Sequence, residues 1–146
     1  MTRDRARAVA SIICGLVLIL AVTGATQPPA LLLFGGNDHR TFLGCLNCNA
    51  NDAGSVCNAN DVHGSIYGAE SIWNQFGDYG SPFSDHSPWN LYASNPPIIV
   101  DRDGNSYGYF TKNRFASDRT QIRILVSFLD AVDASQLSSA RDLFCG

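Results

Sequence analysis

Four residues in the first half of the chain have the types and spacing to bind a metal or to exchange disulfides: Cys45, Cys48, Cys57 and His63. Three thiolates and an imidazole are a suitable ligand set for zinc. Cys45-Leu-Asn-Cys48 also has the spacing of a thiol redox motif, but such motifs open a helix within a βαβ unit. Here turn-forming Asn, Asp and Gly residues follow, which disfavours redox catalysis.

A second group, Asp85-His86-Ser87, places the three residue types of a hydrolase triad side by side. A working triad is assembled in space, and immediate neighbours in sequence do not normally reach one another's reactive atoms. Glu70 is the single Glu of the chain, and no second carboxylate stands out as its partner for glycosidase chemistry. We therefore assign no catalytic residue and keep a small hydrolase using His63 or His86 as the alternative.

A third group, Asp101-Arg-Asp-Gly-Asn105, begins like a calcium-binding loop. The full motif requires Glu at its twelfth position, and Lys112 stands there instead. The aspartates are therefore interpreted as turn formers. No metal and no cofactor are expected.

The amino terminus predicts export. Three arginines precede an apolar run over residues 8–22, and small residues follow at Thr23 and Ala25. This is the pattern of a signal peptide cleaved after Ala25, because the run is short for a membrane span. An uncleaved amino-terminal anchor is the alternative. In both cases we expect an extracytoplasmic domain, either secreted or periplasmic.

An exported chain with an even number of cysteines predicts disulfides. Four cysteines follow residue 25, and they allow three connectivities: Cys45, Cys48, Cys57 and Cys145. We expect one bridge to join Cys145 to the cluster at 45–57, and the other two cysteines to pair. Such a bridge closes a loop of about 90–100 residues, and the chain-entropy model predicts that it stabilises the folded state by roughly 4 kcal/mol. An oxidising compartment also favours disulfides over zinc.

Length and charge exclude several classes of protein. A chain of 146 residues supports one domain, here 26–146 after the signal peptide 1–25. Without residues 1–25 it carries 7 basic and 12 acidic side chains, a net charge of −5. That balance excludes an electrostatic nucleic-acid binder, and no membrane contact is expected apart from the signal or anchor segment. A hydrophobic fraction of 45% excludes a disordered chain.

A repeat of sixteen residues occupies positions 48–95. Ser55-Val-Cys-Asn58, Ser71-Ile-Trp-Asn74 and Ser87-Pro-Trp-Asn90 lie in register. Other positions follow the same period: Gly64-Ser65 aligns with Gly80-Ser81, Tyr67 with Phe83, and Phe76 with Tyr92. The copies show no helical periodicity, so each is predicted to be an irregular unit of loops and short strands. The glycines are expected to permit turns with positive φ.

These motifs carry a resemblance to a family of small exported bacterial proteins. The family repeats run roughly YGSxYSxxSIWN and are followed by YASNPP and IVDxxGxxYGYxT segments. The matching segments here are Gly80–Ser84, Ser71–Asn74, Tyr92–Pro97 and Ile99–Thr111, so the resemblance covers about residues 42–125. It implies the architecture and transfers no catalytic residue. Cys48 and Cys57 stand where later copies have Gly and Trp, which suggests that a disulfide replaces aromatic packing in the first copy.

The aromatic positions leave two interpretations open. Trp73, Trp89, Tyr67 and Phe83 are candidate binding residues that could form a sugar-stacking platform. The same residues could instead supply the core of a domain that has few Leu and Ile in this region.

The flanking segments complete an α+β prediction. Two β-hairpins are expected, with turns at residues 35–38 and 101–105. An amphipathic helix over 118–133, capped by Asp118 and Gln121, should pack on the hairpins, and 135–144 should form one more helical turn.

Together these patterns predict an exported, non-catalytic structural or binding module. Its expected partner is a cell-envelope glycan or another envelope protein.

Overall fold

The computed structural model describes residues 26–146, and the predicted signal peptide with its cleavage site lies outside them. The fold is mixed α+β, as predicted. It consists of four strands and two helices: β1 Leu32–Gly35, β2 Thr41–Cys45, β3 Ile98–Val100, β4 Ser106–Tyr109, α1 Arg123–Ala131 and α2 Leu137–Cys145. Neither helix of this part of the chain has the length and apolar character needed to span a bilayer.

The four strands form one antiparallel sheet in the order β2-β1-β3-β4. The hairpins β1–β2 and β3–β4 form close to their predicted positions, and β1 also pairs with β3, so that Leu33 lies opposite Ile99. Both of these side chains are fully buried. The segment between β2 and β3 therefore leaves the sheet and returns to it, and this segment contains the sixteen-residue repeat.

Residues 48–95, the repeat block, contain no helix and none of the four strands. Instead the backbone makes a succession of turns in which an N–H group bonds to the carbonyl three residues earlier: at Ser55, Asn58, Asp61, Gly64, Gly68, Ser71, Asn74, Gly77, Gly80, Ser84 and Ser87. At Ser65 and Ser81 the N–H bonds four residues back, to Asp61 and Gly77. Five turns, one of them lengthened by a residue, account for the period of sixteen.

Helix α1 begins at Arg123, later than predicted, and no side chain caps it. The residues before it are held elsewhere, because Asp118 and Thr120 exchange backbone hydrogen bonds with Tyr109 at the end of β4. The Arg119 side chain donates to the carbonyl of Thr111 and to the carboxylate of Asp130. Segment 118–120 therefore extends the edge of the sheet instead of opening the helix.

The helices pack mainly on the repeat block rather than on the hairpins. Phe128 of α1 lies edge-on to both Trp73 and Trp89, at ring-centroid distances of 6.4 and 6.3 Å, whereas contact between helices and strands is slight. Phe144 of α2 lies 5.7 Å from the Trp73 ring and 4.9 Å from that of Phe128. The two tryptophans therefore lie at the centre of the core.

The disulfides follow the expected pairing. Cys57 bonds to Cys145, 88 residues away, and Cys45 bonds to Cys48. The long-range bridge ties α2 to the first copy of the repeat. All four sulfurs are used in these bonds, so they do not form the zinc site that the cysteine spacing also allowed. Within residues 26–146 no group of three His, Cys, Asp or Glu residues is arranged to hold a metal.

Candidate functional site

The serines of the repeat occupy equivalent environments. Ser55, Ser71 and Ser87 are fully buried, and each Oγ accepts a hydrogen bond from the N–H group two residues later, at 3.1 Å in all three cases. A buried hydroxyl that closes its own turn replaces the partner that a helix or sheet would supply. Ser87 is thus committed to the backbone of the repeat block, which removes it from the triad that its sequence neighbours suggested.

The tryptophans connect successive copies. The indole N–H of Trp73 donates to the carbonyl of Val56 at 2.7 Å, and that of Trp89 donates to the carbonyl of Ile72. The two rings stack with centroids 5.5 Å apart and an angle of 29° between their planes. Both side chains are buried, so their rings face the core.

The asparagines and glycines of the repeat work together. Asn74 and Asn90 each donate to the carbonyl six residues earlier and accept a bond from the N–H two residues later. A Cβ atom at Gly80 would lie 2.1 Å from the carbonyl oxygen of Asn74. The expectation of positive φ is wrong for Gly64 and Gly80, because neither adopts it. Glycine is needed there because another backbone segment passes too close for a side chain.

The other aromatic positions of the repeat point to solvent. Tyr67 and Phe83 are 81% and 91% exposed, and Phe76 and Tyr92 are 85% and 76% exposed. Each ring follows a turn whose Ser or Asn side chain accepts its backbone N–H. The four candidate binding residues therefore divide into two pairs, with Trp73 and Trp89 in the core and Tyr67 and Phe83 at the surface.

Two clefts lie beside these exposed rings, and the same five positions of the repeat line both of them. The first cleft has a volume of about 390 Å³ and is lined by Ile66, Tyr67, Trp73, Gln75 and Phe76. The second has a volume of about 760 Å³ and is lined by the residues sixteen positions later: Pro82, Phe83, Trp89, Leu91 and Tyr92. Each cleft thus has two exposed rings and a core tryptophan among its lining residues.

The segment from the end of α1 to the start of α2 forms the opposite wall of both clefts. In the first cleft this wall consists of neutral residues, Ser135, Gln136, Leu137, Ser138 and Ser139, and we call it the neutral cleft. In the second cleft this wall includes Asp130 and Asp133, and Lys112 and Arg114 from the segment after β4 also line the cleft, which we call the charged cleft.

Three charged side chains of the second cleft are held by partners within the fold. The Nζ of Lys112 donates to the carbonyls of Leu129 and Val132 at 2.7 and 2.5 Å, and burial lowers its pKa. The bond from Arg119 lowers the pKa of Asp130, which also lies 3.3 Å from Nε of Arg114. The cleft therefore contains ions of both signs and has no concentrated field of one sign.

His86 is the histidine that comes nearest to a catalytic arrangement. Its Nδ1 lies 2.8 Å from the Oδ2 of Asp78, and the hydroxyl of Ser84 donates to the other oxygen of that carboxylate at 2.9 Å. A triad requires the serine at the opposite ring nitrogen. That nitrogen, Nε2, faces the side-chain oxygen of Asn37 at 2.9 Å. The cluster therefore connects the repeat block to the β1–β2 turn.

The other two histidines are held within the fold. His39 bonds through Nε2 to the carbonyl of Pro96 at 2.9 Å, which connects the β1–β2 turn to the residue that follows the repeat block. His63 is buried edge-on to Phe42, with Nδ1 3.8 Å from a carboxylate oxygen of Glu70. No serine hydroxyl bonds to either ring among the described residues.

The calcium-like loop uses its first carboxylate internally. Asp101 accepts bonds from the N–H groups of Asp103 and Asn105, from the Asn105 amide and from the Tyr107 hydroxyl. These bonds hold its pKa below the ordinary value, the Asn105 amide most strongly. Asp101 therefore acts as a turn former, as its sequence context indicated.

Sequence reasoning aligned Phe76 with Tyr92 but did not select this pair as candidate binding residues. The period itself contained a signal, because Phe76 and Tyr92 lie sixteen residues apart, as Tyr67 and Phe83 do. What the sequence lacked was the direction in which each ring points. Protein-family models, curated proteins and solved structures were compared with the chain, and none of them matches it.

Proposed function

We propose that this protein is an exported, non-catalytic binding module that presents aromatic rings to a component of the cell envelope. On this proposal residues 48–95 are three tandem copies of one turn-forming unit. The first unit is 48–63, the second 64–79 and the third 80–95. The second and third units carry the binding surface.

The observation that carries the proposal is that folding does not require the exposed rings. The first unit has Asn51 and Asn60 where the later units have aromatics, yet its serine and asparagine make the same turn bonds. Four aromatic side chains left 76–91% exposed contribute little burial to folding. Clustered apolar exposure beside a cleft is typical of a binding surface.

The compartment supports the same conclusion. Two disulfides fit an extracytoplasmic protein. With the basic and apolar pattern of residues 1–25, they support export followed by cleavage after Ala25, or retention by an uncleaved anchor. The partners within reach are then an envelope glycan or another envelope protein.

The hydrolase alternative has less support. His86 has its carboxylate but lacks a serine at Nε2, and His63 has neither in hydrogen-bonding contact with its ring. The His86 ring instead connects the repeat block to the β1–β2 turn, and the His63 ring packs edge-on against Phe42 of β2.

The test is a pull-down of the exported protein on isolated cell-envelope material, comparing the wild type with the Tyr67→Ser, Phe83→Ser double variant. We expect the double variant to lose at least tenfold in retained protein while its thermal unfolding stays unchanged, because both rings are at the surface.

Phe115→Ser is the matched control. Phe115 is 86% exposed and follows the same kind of asparagine-closed turn, but it lines neither cleft. Equal retention of all three proteins, or retention of none, would overturn the proposal. An equal loss in Phe115→Ser would also overturn it, because binding would then depend on general surface apolarity.

A further inference from the structure

We infer that the two clefts are consecutive subsites for an uncharged, linear glycan of at least two sugar residues. The inference rests on the proposed function and assigns its ligand class.

The lining of the neutral cleft matches the chemistry of a sugar. A pyranose ring has an apolar C–H face and a rim of hydroxyls, so it fits between a flat apolar surface and neutral hydrogen-bonding groups. Tyr67 and Phe76 provide exposed rings, whose negative faces attract C–H groups. Gln75 and Gln136 provide amides, which both donate and accept, and serines of the opposite wall add hydroxyls.

Among residues 26–146, no charged side chain lines the neutral cleft. An anionic ligand would find no counter-ion there, and a cationic ligand no carboxylate. Its volume of about 390 Å³ lies at the lower end of the range for small-molecule sites. Size and charge together favour a short stretch of neutral glycan over a charged or bulky ligand.

The charged cleft repeats the aromatic part of this arrangement one unit further along. Phe83 and Tyr92 replace Tyr67 and Phe76 at the same positions of the repeat. Arg114 pairs with Asp130, Lys112 bonds to backbone carbonyls, and Asp133 accepts bonds from Ser135. The charges of both signs balance, so these groups can form hydrogen bonds to hydroxyls without selecting a net charge.

Two equivalent sites in a row indicate a ligand that also repeats. The walls of the two clefts are consecutive stretches of one segment, residues 130–134 in the charged cleft and 135–139 in the neutral cleft, so the clefts follow one another along this segment. Binding two linked sugars makes the second contact intramolecular, and affinity then rises with the length of the glycan. Single-stranded nucleic acid also stacks on aromatic rings, but it requires a basic groove, and the chain carries a net charge of −5 beyond residue 25.

The experiment is calorimetric titration of the exported protein, with both disulfides formed, using two neutral series, N-acetylglucosamine oligomers and cello-oligosaccharides of one to six sugars. We expect affinity in at least one series to rise tenfold or more between the monosaccharide and the longer oligomers. An oligogalacturonate of matched length, the acidic control, should bind at least tenfold more weakly.

Variants separate the two subsites. Phe83→Ser with Tyr92→Ser should abolish the gain with length and leave affinity for the shortest bound oligomer within about twofold, whereas Phe115→Ser should change neither. Stronger binding of the acidic series or of oligodeoxythymidylate would overturn the inference, as would affinity independent of length.

Failure of the inference can be told apart from failure of the proposed function. If retention on envelope material depends on Tyr67 and Phe83 but neither neutral series binds, the glycan inference is wrong and the proposed binding function still holds. If the protein shows neither retention on envelope material nor affinity for a neutral series, both the inference and the proposed function are wrong.

Discussion

The first unit of the repeat block and the two units after it hold the same turns by different means. Ser55, Ser71 and Ser87 close identical turns, but the residue two positions later is Cys57 in the first unit and Trp in the others. Cys57 is bonded covalently to Cys145, whereas Trp73 and Trp89 bond to the preceding unit and stack. Each unit thus has one residue that fixes its turns to the rest of the fold. This residue forms a disulfide in the first unit and packs as a tryptophan in the other two.

The largest effect should come from removing the covalent anchor. Cys57→Ser with Cys145→Ser frees a loop of 88 residues, and we expect the free energy of unfolding to fall by about 4.5 kcal/mol in denaturant titration. The cysteines of the other bridge are only three residues apart in sequence, so Cys45→Ser with Cys48→Ser should lower the free energy of unfolding by only about 2 kcal/mol. If the two double variants lose equal stability, the long bridge is not the anchor of the first unit.

The second effect tests whether the units share one backbone geometry. An alanine Cβ at Gly64 or Gly80 would lie 2.2 or 2.1 Å, respectively, from the carbonyl oxygen of the asparagine six residues earlier. We expect Gly64→Ala and Gly80→Ala each to cost about 3 kcal/mol in thermal or denaturant unfolding, since the backbone itself must move.

Gly77→Ala provides the control, because its nearest contact is the Asn74 side-chain amide at 3.0 Å. It should cost less than about 1 kcal/mol. Unequal losses at Gly64 and Gly80 would mean that the second and third units do not begin with the same backbone geometry.

The third effect concerns the aromatic anchor. Trp73→Phe keeps most of the ring but leaves the buried carbonyl of Val56 without its donor, and we expect a loss of about 2 kcal/mol. Phe76→Leu, at an exposed position of the same unit, should change stability by less than about 0.5 kcal/mol. Comparable losses in the two variants, measured by denaturant titration, would contradict the separation of buried from exposed aromatics.

The smallest effect is a pH dependence at the junction of the second and third units, where Asp78 bonds to His86. The bond to His86 holds the pKa of Asp78 below its ordinary value of 3.8, so the folded state favours the ionised carboxylate. The resulting stabilisation is complete above that value and is lost as pH falls through the lowered pKa.

Asp78 is largely exposed, so the contribution should be below about 1 kcal/mol. Unfolding measured from pH 6 down to pH 2.5 should show a shallower acid loss in Asp78→Asn than in the wild type. If the wild type and Asp78→Asn lose stability equally at low pH, Asp78 does not contribute to the pH dependence. Asp61 of the first unit, whose pKa is lowered chiefly by the backbone N–H of His63, should respond independently.

Much of the fold could be predicted because its signals are local. Gly and Asn mark the β1–β2 turn, the Asp101 loop closes on itself, and the even cysteine count indicated two bridges. The pairing of β1 with β3 could not be predicted, since it joins residues about 66 positions apart with no shared pattern. The late start of α1 was missed because segment 118–120 bonds to Tyr109, a tertiary contact that overrides the capping signal of Asp118.

The candidate site was predicted in part for the same reason. The sixteen-residue period identifies the aromatic positions. It does not show that the Trp73 side chain points into the core and the Tyr67 side chain into solvent, because these directions depend on where the neighbouring unit lies. The clefts also require the segment after α1 as a second wall, and nothing in the repeat indicates it.

The carbonyl that would receive a fourth tryptophan is already occupied. Val56 and Ile72 accept indole N–H groups, but the equivalent Pro88 accepts the backbone N–H of Lys112, while at the other end Cys45 of β2 bonds to Gly54 and Val56. Both ends of the block are therefore closed by conventional segments. Duplication of sixteen residues inside the block would therefore preserve both closures and lengthen the fold by one whole unit.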